Sequence, residues 1–204
     1  MEFVFGQNGL SPIVLELSDG TFVYLQGRID RVDVMTGGGL RVIDYKSGSR
    51  KFDPTLVYWG LQLQLLLYLA AALARVPGSR AAGFFYCRIA DPTVQTESRI
   101  REEVERQIAK KLALSGISLS DVTILRAQGG QQAAMVTKDG KPNGRFAASM
   151  VDEAGMEKLL TFARNKAAAL ADEIYAGEID DSPVERETFN ACQNCEYSAI
   201  CVFD

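Results

Sequence analysis

Short apolar-rich runs separated by turn residues set the pattern of the first half of the chain. Ile13 to Leu17 and Phe22 to Gln26 are two such runs. Ser18-Asp19-Gly20 joins them, and Asp-Gly is a tight hairpin signal. A second pair, Gly27 to Met35 and Leu40 to Lys46, is joined across Thr36-Gly37-Gly38-Gly39. Asp53-Pro54-Thr55 supplies a cap and an early-turn proline, which predicts a helix running to about Arg75. Val76-Pro77-Gly78-Ser79 then stops it. Ala82 to Ile89 reads as a further strand, apolar enough to be central in a sheet.

The second half is more polar. Arg99 to Leu112 reads as a charged surface helix, with acids and bases at helical spacing. Residues 115–150 are mixed, with Gly129-Gly130, Asp139-Gly140 and Asn143-Gly144 as turns, and are expected to form a hairpin-like excursion. Asp152 to Ala176 has the pattern of an amphipathic helix ended by Gly177. The tail from Glu178 carries cysteines on loops or short helical turns. Strands interleaved with a long helix predict an α/β or α+β domain with a mixed sheet.

Composition narrows the chemistry. The chain has 204 residues, 47% hydrophobic and 24% charged, with a formal net charge of -4. That length and mixture are those of one globular domain, perhaps with an appendage. There is no histidine, which excludes imidazole-based nucleophile pairs, imidazole zinc ligands and an imidazole general base. Slight acidity gives no sign of a duplex-binding surface, although it leaves room for a local basic groove. No signal peptide or membrane span is visible: the longest apolar run, Leu65 to Ala74, is too short to cross a bilayer. A cytoplasmic setting without membrane contact is therefore expected. Cys192, Cys195 and Cys201 crowd the tail while Cys87 stands alone. In a chain without a secretion signal, such an odd cluster fits a metal or iron–sulfur cluster better than a disulfide framework.

The informative segment is Gly27-Arg28-Ile29-Asp30-Arg31-Val32-Asp33 followed by Val42-Ile43-Asp44-Tyr45-Lys46-Ser47-Gly48. Side chains alternate faces along a strand, so Asp44 and Lys46 point the same way, about 7 Å apart at roughly 3.3 Å per residue. Antiparallel pairing of the two strands brings Asp30 beside Asp44. Two facing carboxylates repel one another unless a cation lies between them, and a hard divalent ion such as Mg²⁺ or Mn²⁺ suits such oxygens. A neighbouring ammonium would then orient a water, help deprotonate it, or neutralise charge on a phosphate. The alternative is a surface charge ladder with no ligand.

These two strands, together with Tyr58-Trp59-Gly60-Leu61-Gln62-Leu63-Gln64-Leu65-Leu66-Leu67-Tyr68, resemble the RecB-type PD-(D/E)xK nucleases. Within that family the likeness is closest to the C-terminal nuclease domain of the AddB (RexB-like) type, found in AddAB helicase–nucleases. Glu2-Phe3-Val4-Phe5-Gly6 and the cysteine tail extend it over nearly the whole chain. The resemblance implies a restriction-endonuclease-like α/β core with a central mixed sheet flanked by helices. It implies metal binding by Asp30, Asp44 and the backbone carbonyl of Tyr45, with Lys46 catalytic and Gln64 and Tyr68 near the active centre. It further implies a DNA exonuclease domain working in double-strand-break repair. In that setting an AddA-type partner subunit and an ATP-driven helicase feed it a single strand.

Several residues carry a second, plainer reading. Tyr68 on an apolar helix also reads as core; Gln62 and Gln64 need partners if buried. Arg28, Arg31, Arg50 and Lys51 form either a phosphate-facing DNA-binding rim or solvated pairs, and Asp33 belongs with such pairs. In the resembled family a [4Fe–4S] cluster is held by the tail cysteines and one upstream cysteine. Cys192, Cys195 and Cys201 match the tail, the upstream cysteine and an upstream histidine have no counterpart, and Cys87 reads as a buried inert thiol. Residues 1–204 are accordingly expected to be a single excised C-terminal nuclease domain, its tail at 178–204, with the cluster absent or incomplete. Two other functions stay open: a non-catalytic DNA-binding or scaffold module, and a Cas4-like nuclease. The Tyr-Trp-Gly-Leu-Gln-Leu-Gln run and an insertion at 91–150 favour the AddB type over the latter.

Overall fold

A five-stranded mixed sheet organises the protein, seen in a computed structural model that describes residues 3–7, 11–48, 50–89, 93–94, 100–180, 183–186, 189–197 and 200–201. The chain opens with β1 (Phe3–Phe5), β2 (Ile13–Glu16) and β3 (Phe22–Leu25). The second and third form the expected hairpin, Ile13 opposite Leu25 and Glu16 opposite Phe22. The run Gly27 to Met35 is not one strand: it divides at Asp30 into β4 (Gly27–Ile29) and β5 (Arg31–Val34). β4 pairs with β1, whereas β5 pairs antiparallel with β6 (Gly39–Lys46). Gly27 permits the close β1–β4 approach, because a Cβ there would lie 2.9 Å from the Phe5 ring.

The helix expected from Asp53 to Arg75 is broken in two. Asp53 caps α1 (Pro54–Tyr58) by accepting from the Thr55 N–H at 2.8 Å, with Pro54 in the first turn as read from the sequence. Gly60 then adopts φ +83 against Leu170 and Lys166, a conformation that only glycine takes without strain. A new helix, α2 (Gln64–Arg75), starts four residues later. It is the crossover from β6 to β7 (Arg80–Arg88), which lie parallel. Leu65, Leu66, Leu69 and Ala72 of α2 are fully buried against Leu40, Val42, Phe84 and Tyr86 of these strands.

The segment 115–150 is not an excursion from the fold, nor is 91–150 simply an insertion. After α3 (Arg101–Lys111), β8 (Ser115–Leu119) pairs antiparallel with β7, and β9 (Met150–Val151) lies parallel to β8. The sheet order is β5-β6-β7-β8-β9, so β7 is central, as its apolar sequence predicts. Gly116 allows the β7–β8 approach, since a Cβ there would overlap the Phe84 carbonyl. Between β8 and β9 lie α4 (Val122–Gln128) and α5 (Gly130–Ala133), and only the Val136–Pro142 bridge over Asp139-Gly140 is hairpin-like.

The last long element is α6 (Glu153–Ala176). It has Asp152 as N-cap and Gly177 in the left-handed conformation after it, as the sequence predicts. It packs on α2 and on the β2 strand, so α2 lies between it and the sheet. The tail adds β10 (Glu185–Arg186), β11 (Phe189–Asn190) and a 3-10 turn at Ala191–Asn194; the rest of 178–204 lies partly outside the described residues. Among the described residues no helix is long and apolar enough to cross a membrane.

Candidate active site

Asp30, Asp44 and Lys46 come together where β4 gives way to β5 and where β6 ends. The β5–β6 ladder runs Arg31 opposite Ile43 and Val32 opposite Val42, so continuing it by one step sets Asp30 opposite Asp44. Asp30 is freed from the ladder by the strand break, and its Oδ2 accepts a hydrogen bond from the Tyr45 N–H at 2.9 Å. Asp44 is 3% exposed, unusual for a carboxylate. Lys46 Nζ lies 2.6 Å from Asp44 Oδ2, but the contact lacks hydrogen-bond geometry, leaving that buried oxygen without a hydrogen-bond partner. Burial pushes the Asp44 carboxyl above its ordinary range; Lys46 opposes this, and the Asp30 charge adds to it. Desolvation is thus the first cause that disfavours the ionised form of Asp44.

The lysine is held from behind. Its Nζ donates to Gln64 Oε1 at 3.1 Å, and Gln64 Nε2 donates to Tyr68 Oη at 2.9 Å. The Tyr68 ring sits edge-on to Phe5, with centroids 5.9 Å apart. Gln64 and Tyr68 therefore share one helix face, as their i, i+4 spacing requires, and β1 anchors the chain of contacts. Lys46 Nζ also lies 5.6 Å from the centre of the Tyr86 ring. Gln62 does something different: it is 4% exposed, accepts from the Asp53 N–H and donates to the Lys51 carbonyl, both at 3.0 Å. It clamps the loop between β6 and α1. Gln62→Ala, which strands both backbone groups, is expected to destabilise the fold by about 1–3 kcal/mol in urea titrations. Gln64→Ala, which leaves no backbone group stranded, should cost less than about 1 kcal/mol.

The four basic residues of the expected rim separate. Arg31 is committed to Asp33 at 2.7 Å and to Tyr45 Oη at 3.3 Å, and Arg41 holds Asp33 from the other side at 2.6 Å. Burial raises the Asp33 carboxyl, yet these two guanidinium groups outweigh it and keep it low. Asp33 is thus a paired residue, as read from the sequence. Arg28 is exposed on β4, and Lys51 is exposed with its carbonyl taken by Gln62. Arg50 is near enough for its charge to act on both Asp44 and Tyr86. Sequence reasoning missed Tyr86: it stands beside Asp44 in the parallel β6–β7 ladder, 2% exposed, its hydroxyl without a hydrogen-bond partner. The signal available was its place in an apolar strand, which reads as core.

The cysteines differ from the expectation at Cys87. Cys87 is half-buried near the end of β7, beside Tyr45 of β6, rather than sealed in the core, because the pairing of β8 with β7 stops at Tyr86. Cys192 and Cys195 are half-buried and Cys201 is exposed. Among the described residues no three Cys, Asp or Glu side chains gather as a metal-holding group. The Asp30–Asp44 pair does fit a hard divalent ion that completes its shell with waters, a backbone carbonyl or a substrate oxygen. Two carboxylates, one of them buried and raised by that burial, are oxygen donors of the kind such an ion takes.

Residues 2–202 match the model of the PD-(D/E)XK nuclease superfamily. The chain is similar over its whole length to proteins named as ATP-dependent helicase/deoxyribonuclease subunits of the B type. It is 36% identical over 220 residues to that of Alkaliphilus metalliredigens, 38% over 220 to that of Clostridium tetani, and 39% over 219 to that of Caldanaerobacter subterraneus subsp. tengcongensis. In each case all of this chain is covered and 19% of the relative, so the chain spans about a fifth of those proteins. With the mixed sheet, the paired acids and the lysine two residues beyond Asp44 in place, the chain belongs to the PD-(D/E)XK nuclease superfamily.

Proposed function

We propose that the chain is a Mg²⁺- or Mn²⁺-dependent deoxyribonuclease domain that hydrolyses phosphodiester bonds exonucleolytically in a single DNA strand. In this reading it works within a cytoplasmic helicase–nuclease, beside an AddA-type subunit, during double-strand-break repair. The observation that carries it is the convergence of Asp30 and buried Asp44 with Lys46 Nζ 2.6 Å from Asp44 Oδ2. Asp30, Asp44 and the Tyr45 carbonyl would hold the divalent ion. When bound, the ion supplies charge neutralisation at the phosphate and acidifies a water.

The chain's own groups do the rest. The Tyr45 N–H fixes the Asp30 carboxylate, leaving its second oxygen for the site. Lys46 is kept in one position by Gln64 and Tyr68, where its ammonium meets a substrate phosphate oxygen or orients the attacking water. Gln64 and Tyr68 act through Lys46 as positioning residues. Burial of Asp44 excludes bulk water and strengthens each of these electrostatic contacts. The spacing of Cys192, Cys195 and Cys201 suits three thiolates of an iron–sulfur cluster, which on these residues would be absent or incomplete; no step of the hydrolysis uses it.

The test is degradation of a 5′-labelled single strand by the purified chain with Mg²⁺, with Mn²⁺ and with EDTA, alongside Asp30→Asn. Metal-dependent shortening that Asp30→Asn abolishes is the expected result. DNA binding with no metal-dependent cleavage would point to a non-catalytic binding module instead.

A further inference from the structure

A groove of about 1370 Å³ opens beside the site, between the ends of β7 and β8 and helix α3. In a chain of net charge -4 the described residues of its lining are strongly basic: Arg50, Lys51, Arg88, Arg106, Lys110 and Lys111, with Glu103 as the one carboxylate among them. Arg106 is paired with Glu103 at 2.7 Å. The other five form no ion pair with a carboxylate among the described residues, and all five are exposed. Five cations on one concave face without a carboxylate ion pair among the described residues repel one another, which is tolerated where a polyanion is to be taken up.

The inner end of the groove is built. Arg88 stands beside Lys46 in the β6–β7 ladder, and Tyr86 beside Asp44, so the groove begins next to the paired acids. The Tyr86 hydroxyl is buried there without a hydrogen-bond partner; Arg50 comes close without meeting hydrogen-bond geometry. A donor left unsatisfied at such a place is costly unless an acceptor arrives. Further out, α3 buries none of its residues, so it is not held there by a core face of its own. Phe52, Val94 and Leu114 lie half-buried along the same lining. Apolar surface between cations suits unpaired bases flanked by phosphates, whereas a duplex hides its bases.

We infer that this groove holds the backbone of a single DNA strand on one side of the scissile phosphate, with Tyr86 and Arg50 receiving the phosphate nearest the acids and Lys110 and Lys111 those further out. The inference deepens the nuclease reading and rests on it for the identity of the ligand.

The test is fluorescence anisotropy of a labelled oligothymidine of about 15 nucleotides with the chain in EDTA, across salt concentrations. Lys110→Glu/Lys111→Glu should weaken binding at least about tenfold and flatten the salt dependence. Tyr86→Phe, which keeps the ring, should weaken it about fivefold. Lys158→Glu/Arg164→Glu, on α6 and outside this groove, should bind within about twofold of the unaltered chain. Unchanged binding by the Lys110/Lys111 variant while the unaltered chain cleaves DNA would overturn the groove and leave the nuclease reading standing. Groove-dependent binding with no metal-dependent cleavage would sink the nuclease reading alone. A duplex of equal length that binds as tightly, and loses as much on charge reversal, would overturn the single-strand assignment.

Discussion

Asp44→Asn is expected to reduce metal-dependent DNA cleavage by at least about 10³-fold, the scale of losing several kcal/mol of charge stabilisation, and at the same time to make the metal-free protein more stable. The two effects share one cause. Burial holds the Asp44 carboxyl above its ordinary range, with Lys46 only partly offsetting it and Asp30 adding repulsion. A carboxyl whose folded-state value is raised leaves stability intact below its unfolded value. That stability is lost progressively as pH rises through the folded value. In EDTA, the amide variant should therefore match the unaltered chain below about pH 4. It should then gain on the unaltered chain as the pH rises toward neutrality. The gain at neutral pH is expected to be about 1 kcal/mol, the scale of relieving one poorly satisfied buried group. Chemical denaturation across this range measures it. A variant less stable than the parent at pH 7 would contradict the picture of a strained pair awaiting a cation.

Lys46→Met should have the opposite effect on stability with a similar effect on chemistry. Removing the ammonium leaves Asp44 facing Asp30 with less compensation, so the metal-free fold should lose about 1–3 kcal/mol. That is less than for a fully buried pair, because Lys46 is 25% exposed. Cleavage should fall about 10²–10³-fold. Mn²⁺ binding should persist or tighten, since a competing cation has gone while both carboxylates remain. Asp44→Asn should bind Mn²⁺ poorly. Calorimetric titration of both variants separates a ligand of the ion from a group that acts on the substrate. Equal loss of Mn²⁺ binding in the two would remove Lys46 from its assigned role.

Much of this site was legible because its information is local. The Asp-x-Lys spacing on a strand puts both side chains on one face, and the short Thr36 to Gly39 connection forces the antiparallel register that sets Asp30 opposite Asp44. The α6 boundaries follow from Asp152 and Gly177, whose capping is decided within a few residues. What the sequence hid depends on partners distant in the chain. The break at Gly60 depends on α6, through Leu170, and the strand switch at Asp30 on the pairing of β4 with β1. Gly116 marks a strand only once the Phe84 carbonyl is known to lie against it. Gln62 and Gln64 look alike in sequence, two residues apart, yet one clamps a backbone loop and the other holds the lysine.

Tyr86 shows the same limit from the other side. An aromatic in an apolar strand is ordinarily core, and only the parallel ladder with β6 shows that it borders the acids. The groove is equally invisible in the net charge, because its cations come from three separated segments: Arg50 and Lys51, Arg88, and the α3 residues. The cysteine tail is the converse case. Its Cys-x-x-Cys spacing is a moderate local signal that Cys201 raises, but the described residues do not gather the thiols.

The most direct measurement of the central claim is anomalous difference density from Mn²⁺-soaked crystals of the unaltered chain and of Asp30→Asn. One peak between the Asp30 and Asp44 carboxylates, lost in the variant, is the result expected. Mn²⁺ bound elsewhere with that position empty, or a peak indifferent to the Asp30 substitution, would contradict it.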